Sequence, residues 1–197
     1  MSSAACLDAG ALDSSGYTAA VPDAFLADIL KPYRPNARYL KSATIGTVSR
    51  GSLAPRCPFS KRLLSGTGRF AIGDSCYIDD TGHFNAVEFN ICYNQLAYVL
   101  FGKCIESRNV PELGFLDIAE FKQQQLPNWL IVGIEDVRFT RQLCRRDFTA
   151  ALSVDRVSTV RSTRFFFTTI AFADCEGVKA SGAVTLAYSG PSGGAGR

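Results

Sequence analysis

The chain has little of what metal and nucleophile chemistry usually requires. It carries one histidine, His83, in 197 residues. Seven cysteines (Cys6, Cys57, Cys76, Cys92, Cys104, Cys144 and Cys175) form no Cys-x-x-Cys pair. A Cys/His zinc site is therefore not expected. The odd count and irregular spacing fit reduced thiols, mostly core filler, in a cytoplasmic protein. No Gly-x-Ser-x-Gly elbow is present, which argues against a serine-hydrolase triad. "GTGRFAIG" (66–73) is not a dinucleotide fingerprint, and there is no P-loop. No apolar run reaches the ~20 residues needed to span a bilayer. The first residues lack a basic start followed by an apolar stretch, so no secretory signal is expected. A net charge of +3 does not by itself suggest nucleic acid. Asp79, Asp80 and His83 fit a turn and helix entry better than a metal site. Neither a metal nor an organic cofactor is expected.

What is present is ordinary for a globular domain: 47% hydrophobic and 20% charged residues. Residues 1–20 are rich in Ala, Ser and Gly and are expected to be disordered. Residues 21–190 are expected to form one domain, and 191–197 a flexible tail. "PDAFLADILKP" (22–32) predicts a short amphipathic helix. Strand-like residues follow at 39–51. Residues 51–66 read as a long loop carrying Arg56, Lys61 and Arg62, with Arg50 just before it. A strand is predicted at 68–78, a long apolar helix at 85–103, and a second helix at 115–126 ending before Pro127. Four long strands are predicted at 129–143, 146–159, 161–175 and 178–189, arranged as an antiparallel meander. An antiparallel sheet must bury one face, and the long apolar helix is the object for it to wrap. The expectation is an α+β hot-dog fold, a curved antiparallel β-sheet wrapped around a long central helix. By analogy with that fold, two protomers would pair and share the site.

The unusual stretch is "TGHFNAVEFNICYNQLAY" (81–98). Polar groups sit on an otherwise core-like helix, and unpartnered polar burial is costly. Asn85 and Glu88 have the spacing of a capping box, a purely structural reading. At 100° per residue, Glu88, Cys92 and Gln95 share one face, with Asn90 and Asn94 roughly opposite. A sheet can satisfy one side; a dimer mate or a substrate channel would satisfy the other. The helix N-terminus offers N–H groups to an oxyanion, flanked by His83 and Glu88 as proton carriers.

"GDSCYIDDTGHFNAVEFNICYNQLAY" (73–98) resembles the signature of the FcoT-like long-chain fatty acyl-CoA thioesterase family, of hot-dog type. "LKPY" (30–33) and "RYL" (38–40) also fit. The resemblance extends over roughly residues 22–190 and is dense in 68–98. It implies candidate active-site residues at Tyr33, Tyr77, Asn85 and Asn94. It also implies one of two activities. One is thioester hydrolysis of long acyl-CoAs. The other belongs to isonitrile lipopeptide biosynthesis: glycine adds to the β-carbon of an α,β-unsaturated acyl chain on an acyl carrier protein. Hydrolysis of the thioester then releases a (3R)-3-[(carboxymethyl)amino]fatty acid. We favour the second. His83, Glu88, Asn85 and Tyr77 are placed at the reacting groups, and Tyr33, Asn94 and Gln95 along the bound substrate. Glycine and the acyl carrier protein are the expected partners, the latter met by a basic rim that includes Arg138, Arg141, Arg145 and Arg146. A homodimer or an assembly of dimers is expected.

Overall fold

A computed structural model of the chain describes residues 17–47, 64–79 and 82–190. Strand β1 (Tyr17–Ala20) leads into helix α1 (Asp23–Ile29) and then β2 (Leu40–Thr47). Strand β3 (Leu64–Phe70) precedes the long helix α2 (Ala86–Ser107) and the short α3 (Ile118–Gln124). Four strands close the chain: β4 (Trp129–Phe139), β5 (Phe148–Val160), β6 (Thr163–Asp174) and β7 (Gly177–Tyr188). All seven strands form one antiparallel sheet in the order β1-β2-β3-β5-β6-β7-β4. This is the hot-dog arrangement expected from the element order, with α2 as the central helix.

The sheet grips α2 through Phe89, Tyr93, Leu96, Leu100 and Phe101, all essentially without exposure. Each such side chain contributes roughly 1.5–3 kcal/mol by leaving water. Strand β3 approaches the helix closely. A methyl group at Gly68 would lie 2.6 Å from Leu40 Cδ1 and 3.1 Å from Leu96 Cδ1, so a larger residue there would force these leucines to shift. The Tyr93 hydroxyl is buried 2.8 Å from Thr168 Oγ1, and Thr168 in turn donates to the Val184 carbonyl. Trp129 fills the far end, ringed by Phe101, Phe121, Phe166 and Tyr188.

Several expectations need correction. Residues 17–20 pair with β2, so at least this part of the 1–20 segment is ordered. The expected strand at 68–78 is β3 at 64–70, and 71–79 is irregular. The ladder stops because the chain turns to other partners. Ile72 N–H donates to the Arg145 carbonyl, and Cys76 N–H donates to the Tyr39 hydroxyl. Helix α2 runs past Gly102, which packs against Phe121 and Ile29, and ends where Arg108 turns left-handed (φ 50). The meander holds for β5, β6 and β7 only. Strand β4 crosses to the far edge and pairs with β7. Residues 51–63 of the expected loop, with Arg56, Lys61 and Arg62, lie outside the described residues, as does Arg50. Of the described cysteines, all unbridged, Cys92 and Cys104 are core residues while Cys144 and Cys175 are exposed.

Candidate active site

The polar residues of α2 fall into two groups. The first is hydrogen-bonded within the protein. Asn85 is the N-cap: its Oδ1 accepts from Val87 N–H (2.9 Å) and Glu88 N–H (3.4 Å). Glu88 closes the capping box by accepting the Asn85 N–H at 3.0 Å through Oε2. Its Oε1 accepts from Ser75 Oγ at 2.8 Å, and the residue is completely buried. Both oxygens of Glu88 are therefore occupied, which favours its structural reading. Two of the N–H groups expected to hold an oxyanion, those of Val87 and Glu88, are likewise taken by Asn85 Oδ1.

Gln95 is also engaged. It is fully buried, and its Oε1 accepts from the backbone N–H groups of Tyr39 (3.0 Å) and Leu40 (2.9 Å). Its Nε2 donates to the Ala37 carbonyl at 2.6 Å. The amide is a bracket that fastens the start of β2 to the central helix. It does not face substrate, contrary to the expectation.

The second group lies on the opposite face. Asn94 is half-buried and makes no hydrogen bond among the described residues. One turn further on, Tyr98 is buried, and its hydroxyl likewise finds no partner among them. One turn earlier, Asn90 donates to the Ala86 carbonyl at 3.1 Å, but its Oδ1 is buried without a donor. Tyr33, from the turn after α1, packs against the core beside Tyr98 and Cys92, its hydroxyl also without a hydrogen bond. Burial pushes the Tyr33 phenol far above its usual range, and the neighbouring Tyr98 and Cys92 add to the shift. Burial also raises Tyr98. Both hydroxyls stay protonated and able to donate.

Tyr77 and Asn85 mark the N-terminal end of this face. The Tyr77 hydroxyl lies 2.7 Å from Asn85 Nδ2 and 3.0 Å from Asn85 Oδ1. Tyr77 is exposed, at 43%. His83, also exposed, sits two residues before the cap, following Gly82, whose positive φ of 75° allows the tight entry. Of the four candidates, Tyr77 and Asn85 are joined by a hydrogen bond at the start of α2, Tyr33 lies beside Tyr98, and Asn94 lies one turn before Tyr98 on the helix. The signal that sequence reasoning missed is Tyr98, which continues the Asn90–Asn94 spacing by four residues.

A separate trough of about 730 Å³ crosses the outer face of the sheet, lined by small residues such as Ser65, Thr67, Ala151 and Ala171. It lies on the far side of the sheet from α2 and, apart from Arg138 of the expected basic rim, contains none of the candidate residues.

A curved antiparallel sheet around one long helix, with polar groups held at the helix start, defines a hot-dog domain of thioesterase type. The sequence model of the FcoT-like thioesterase domain matches residues 28–188, and the chain belongs to that family. A Streptomyces coeruleorubidus protein named (2E)-enoyl-ACP glycyltransferase is 33% identical over 171 residues, 84% of this chain and 96% of its own. A Mycobacterium marinum protein of the same name is 35% identical over 181 residues, 90% of this chain and 91% of its own. Among solved structures, a mutant thioesterase from Pseudomonas aeruginosa aligns at 14% identity with a TM-score of 0.38, covering 66% of this chain and 77% of that one.

Proposed function

We propose that the protein adds glycine to the β-carbon of a (2E)-enoyl chain on an acyl carrier protein. It then hydrolyses the thioester, releasing a (3R)-3-[(carboxymethyl)amino]fatty acid. The observation that carries this reading is the second face of α2. Side chains that would be better apolar for stability alone keep hydrogen-bonding groups without a partner among the described residues, in a chain that covers 96% of a relative named for this transfer.

Conjugate addition develops negative charge on the thioester oxygen. Tyr77 O–H and the second N–H of Asn85 Nδ2 supply donors for it, since two of the helix N–H groups are already capped. His83 accepts the proton that the glycine ammonium must lose before its lone pair can attack. The nitrogen lone pair forms the N–Cβ bond, the Cα=Cβ π pair moves onto the thioester, the adduct nitrogen gives up one of its two protons and Cα takes one up. The same held carbonyl then suits attack by water, with the carrier thiol as leaving group. Tyr33, Asn94 and Tyr98 line the bound acyl and amine groups; Glu88 and Gln95 position the site without touching substrate.

The working unit in this reading is a homodimer. Edge strand β4 presents Leu130, Val132 and Ile134 at 44–53% exposure beside an unpaired backbone edge. A second copy pairing there would cover both. No helix among the described residues is long and apolar enough to cross a membrane, in keeping with the expected cytoplasmic setting. Exposed Arg138, Arg141 and Arg146, with the buried Arg145, put positive charge near β4 where an acidic carrier protein would dock.

The test is intact-mass analysis of an enoyl carrier protein incubated with the enzyme, with and without glycine. A glycine-dependent adduct followed by release of the amino acid is expected. Release of unmodified acid regardless of glycine would leave a plain thioesterase.

A further inference from the structure

Asn90 has one end of its amide used and the other idle. Its Nδ2 donates to the Ala86 carbonyl at 3.1 Å. A carbonyl only accepts, so this bond fixes the amide orientation, nitrogen toward Ala86 and oxygen away. That oxygen is shut off from solvent and meets no donor. Stability alone disfavours such an atom, because a buried acceptor loses its water without replacement.

One helical turn on, Asn94 carries an amide with no hydrogen bond among the described residues. Residues four apart are neighbours on a helix surface. The pair therefore offers an acceptor next to a donor. That is the complement of an α-amino acid, whose ammonium donates and whose carboxylate, one carbon away, accepts. A water nucleophile needs no such pairing, nor does an acyl chain.

We infer that Asn90 Oδ1 is the acceptor that binds the amine of the incoming glycine, a role that rests on the glycine-adding reading above. The oxygen holds one N–H and so leaves the nitrogen lone pair free once the surplus proton has passed to His83. The N–Cβ bond then forms as the Cα=Cβ π pair moves to the thioester oxygen; the adduct nitrogen, now carrying two protons and a positive charge, gives one up, and Cα takes one up, so the addition consumes no net proton. The product is a secondary amine that keeps one N–H, still matched to Asn90.

Two variants test this in steady-state addition to the enoyl carrier protein. Asn90→Leu keeps the size and removes the acceptor; Asn90→Asp keeps an acceptor oxygen. The glycine KM is expected to rise about tenfold or more in Asn90→Leu. The KM for the enoyl carrier protein should stay within about twofold, and Asn90→Asp should keep the glycine KM within about threefold. An unchanged glycine KM in Asn90→Leu overturns the assignment. So does a parallel rise in both KM values that Asn90→Asp fails to rescue, because a general structural role would produce it. If the unmodified enzyme forms no glycine adduct, the underlying reading has failed before any variant is assayed, and the assignment goes with it.

Discussion

Tyr77 and Asn85 face each other across the entry to the central helix, the tyrosine hydroxyl 2.7 Å from the asparagine Nδ2. Asn85 thereby does two jobs with one amide. Its oxygen caps the helix and its nitrogen orients the phenol. Substitutions can separate them. Asn85→Asp keeps the capping oxygen and should leave thermal stability nearly unchanged while lowering activity. Asn85→Ala should lose both, at a cost of about 1 kcal/mol in stability. Calorimetry beside the adduct assay decides; full activity in Asn85→Asp would remove the nitrogen from the chemistry.

Tyr33 is expected to act as a neutral donor. Because burial raises its phenol far above the usual range, it stays protonated between about pH 6 and 10. Tyr33→Phe should reduce kcat roughly tenfold or more without moving either limb of the pH–rate profile. A lost alkaline limb in that variant would mean that Tyr33 titrates in the working range.

Gln95 should matter for stability rather than chemistry. Gln95→Leu would strand two backbone N–H groups and one carbonyl inside the protein. A loss of roughly 3 kcal/mol or more is expected, or about 6–12 °C in Tm for a domain of this size. A melting point within about 2 °C of the parent would show that the bracket is dispensable.

Asp28 ties α1 to α3 through Lys122, and it also pairs with Lys31 at 2.6 Å. Hydrogen bonds from Lys122 and then Lys31 lower its pKa to about 2. A folded-state pKa below the unfolded value stabilises above the unfolded value, and the contribution fades as pH falls from about 4 through about 2. The pairs are solvent-screened, so the effect is under ~1 kcal/mol. Denaturant midpoints of the parent and Asp28→Asn should converge on acidification through that window. A constant gap from pH 5 to 2 would contradict the linkage.

Val132 stands out of the free edge of β4 at 53% exposure. A lysine there should block strand addition by a second copy. Sedimentation of Val132→Lys is expected to shift toward monomer, with activity falling in step. A dimer that persists would place the subunit contact elsewhere.

The sequence made the fold class and the central helix readable because both rest on periodicity. An apolar helix of this length followed by β-branched, aromatic strands has few ways to bury itself. Asn85 and Glu88 showed their cap through spacing alone. Periodicity could not place β4, since an edge position depends on which strand β7 accepts. It also could not tell Gln95 from Asn94. The two are adjacent and chemically alike, and only the position of the Tyr39–Leu40 backbone, some fifty-five residues away, decides which amide is engaged. Tyr98 was hidden for a similar reason: buried tyrosines are usually core, and its idle hydroxyl is a property of its neighbours.

The bare edge of β4 is also a liability in the cell. Its first half, Trp129–Ile134, is β-branched and uncharged, the kind of segment on which misassembled chains stack. Its second half is guarded differently. Glu135, Asp136 and Arg138 bring charge, and the left-handed kink at Asp136 (φ 51) breaks the ladder. Newly made chains are thus exposed to open-ended polymerisation along one short stretch, which the homodimer proposed above would close.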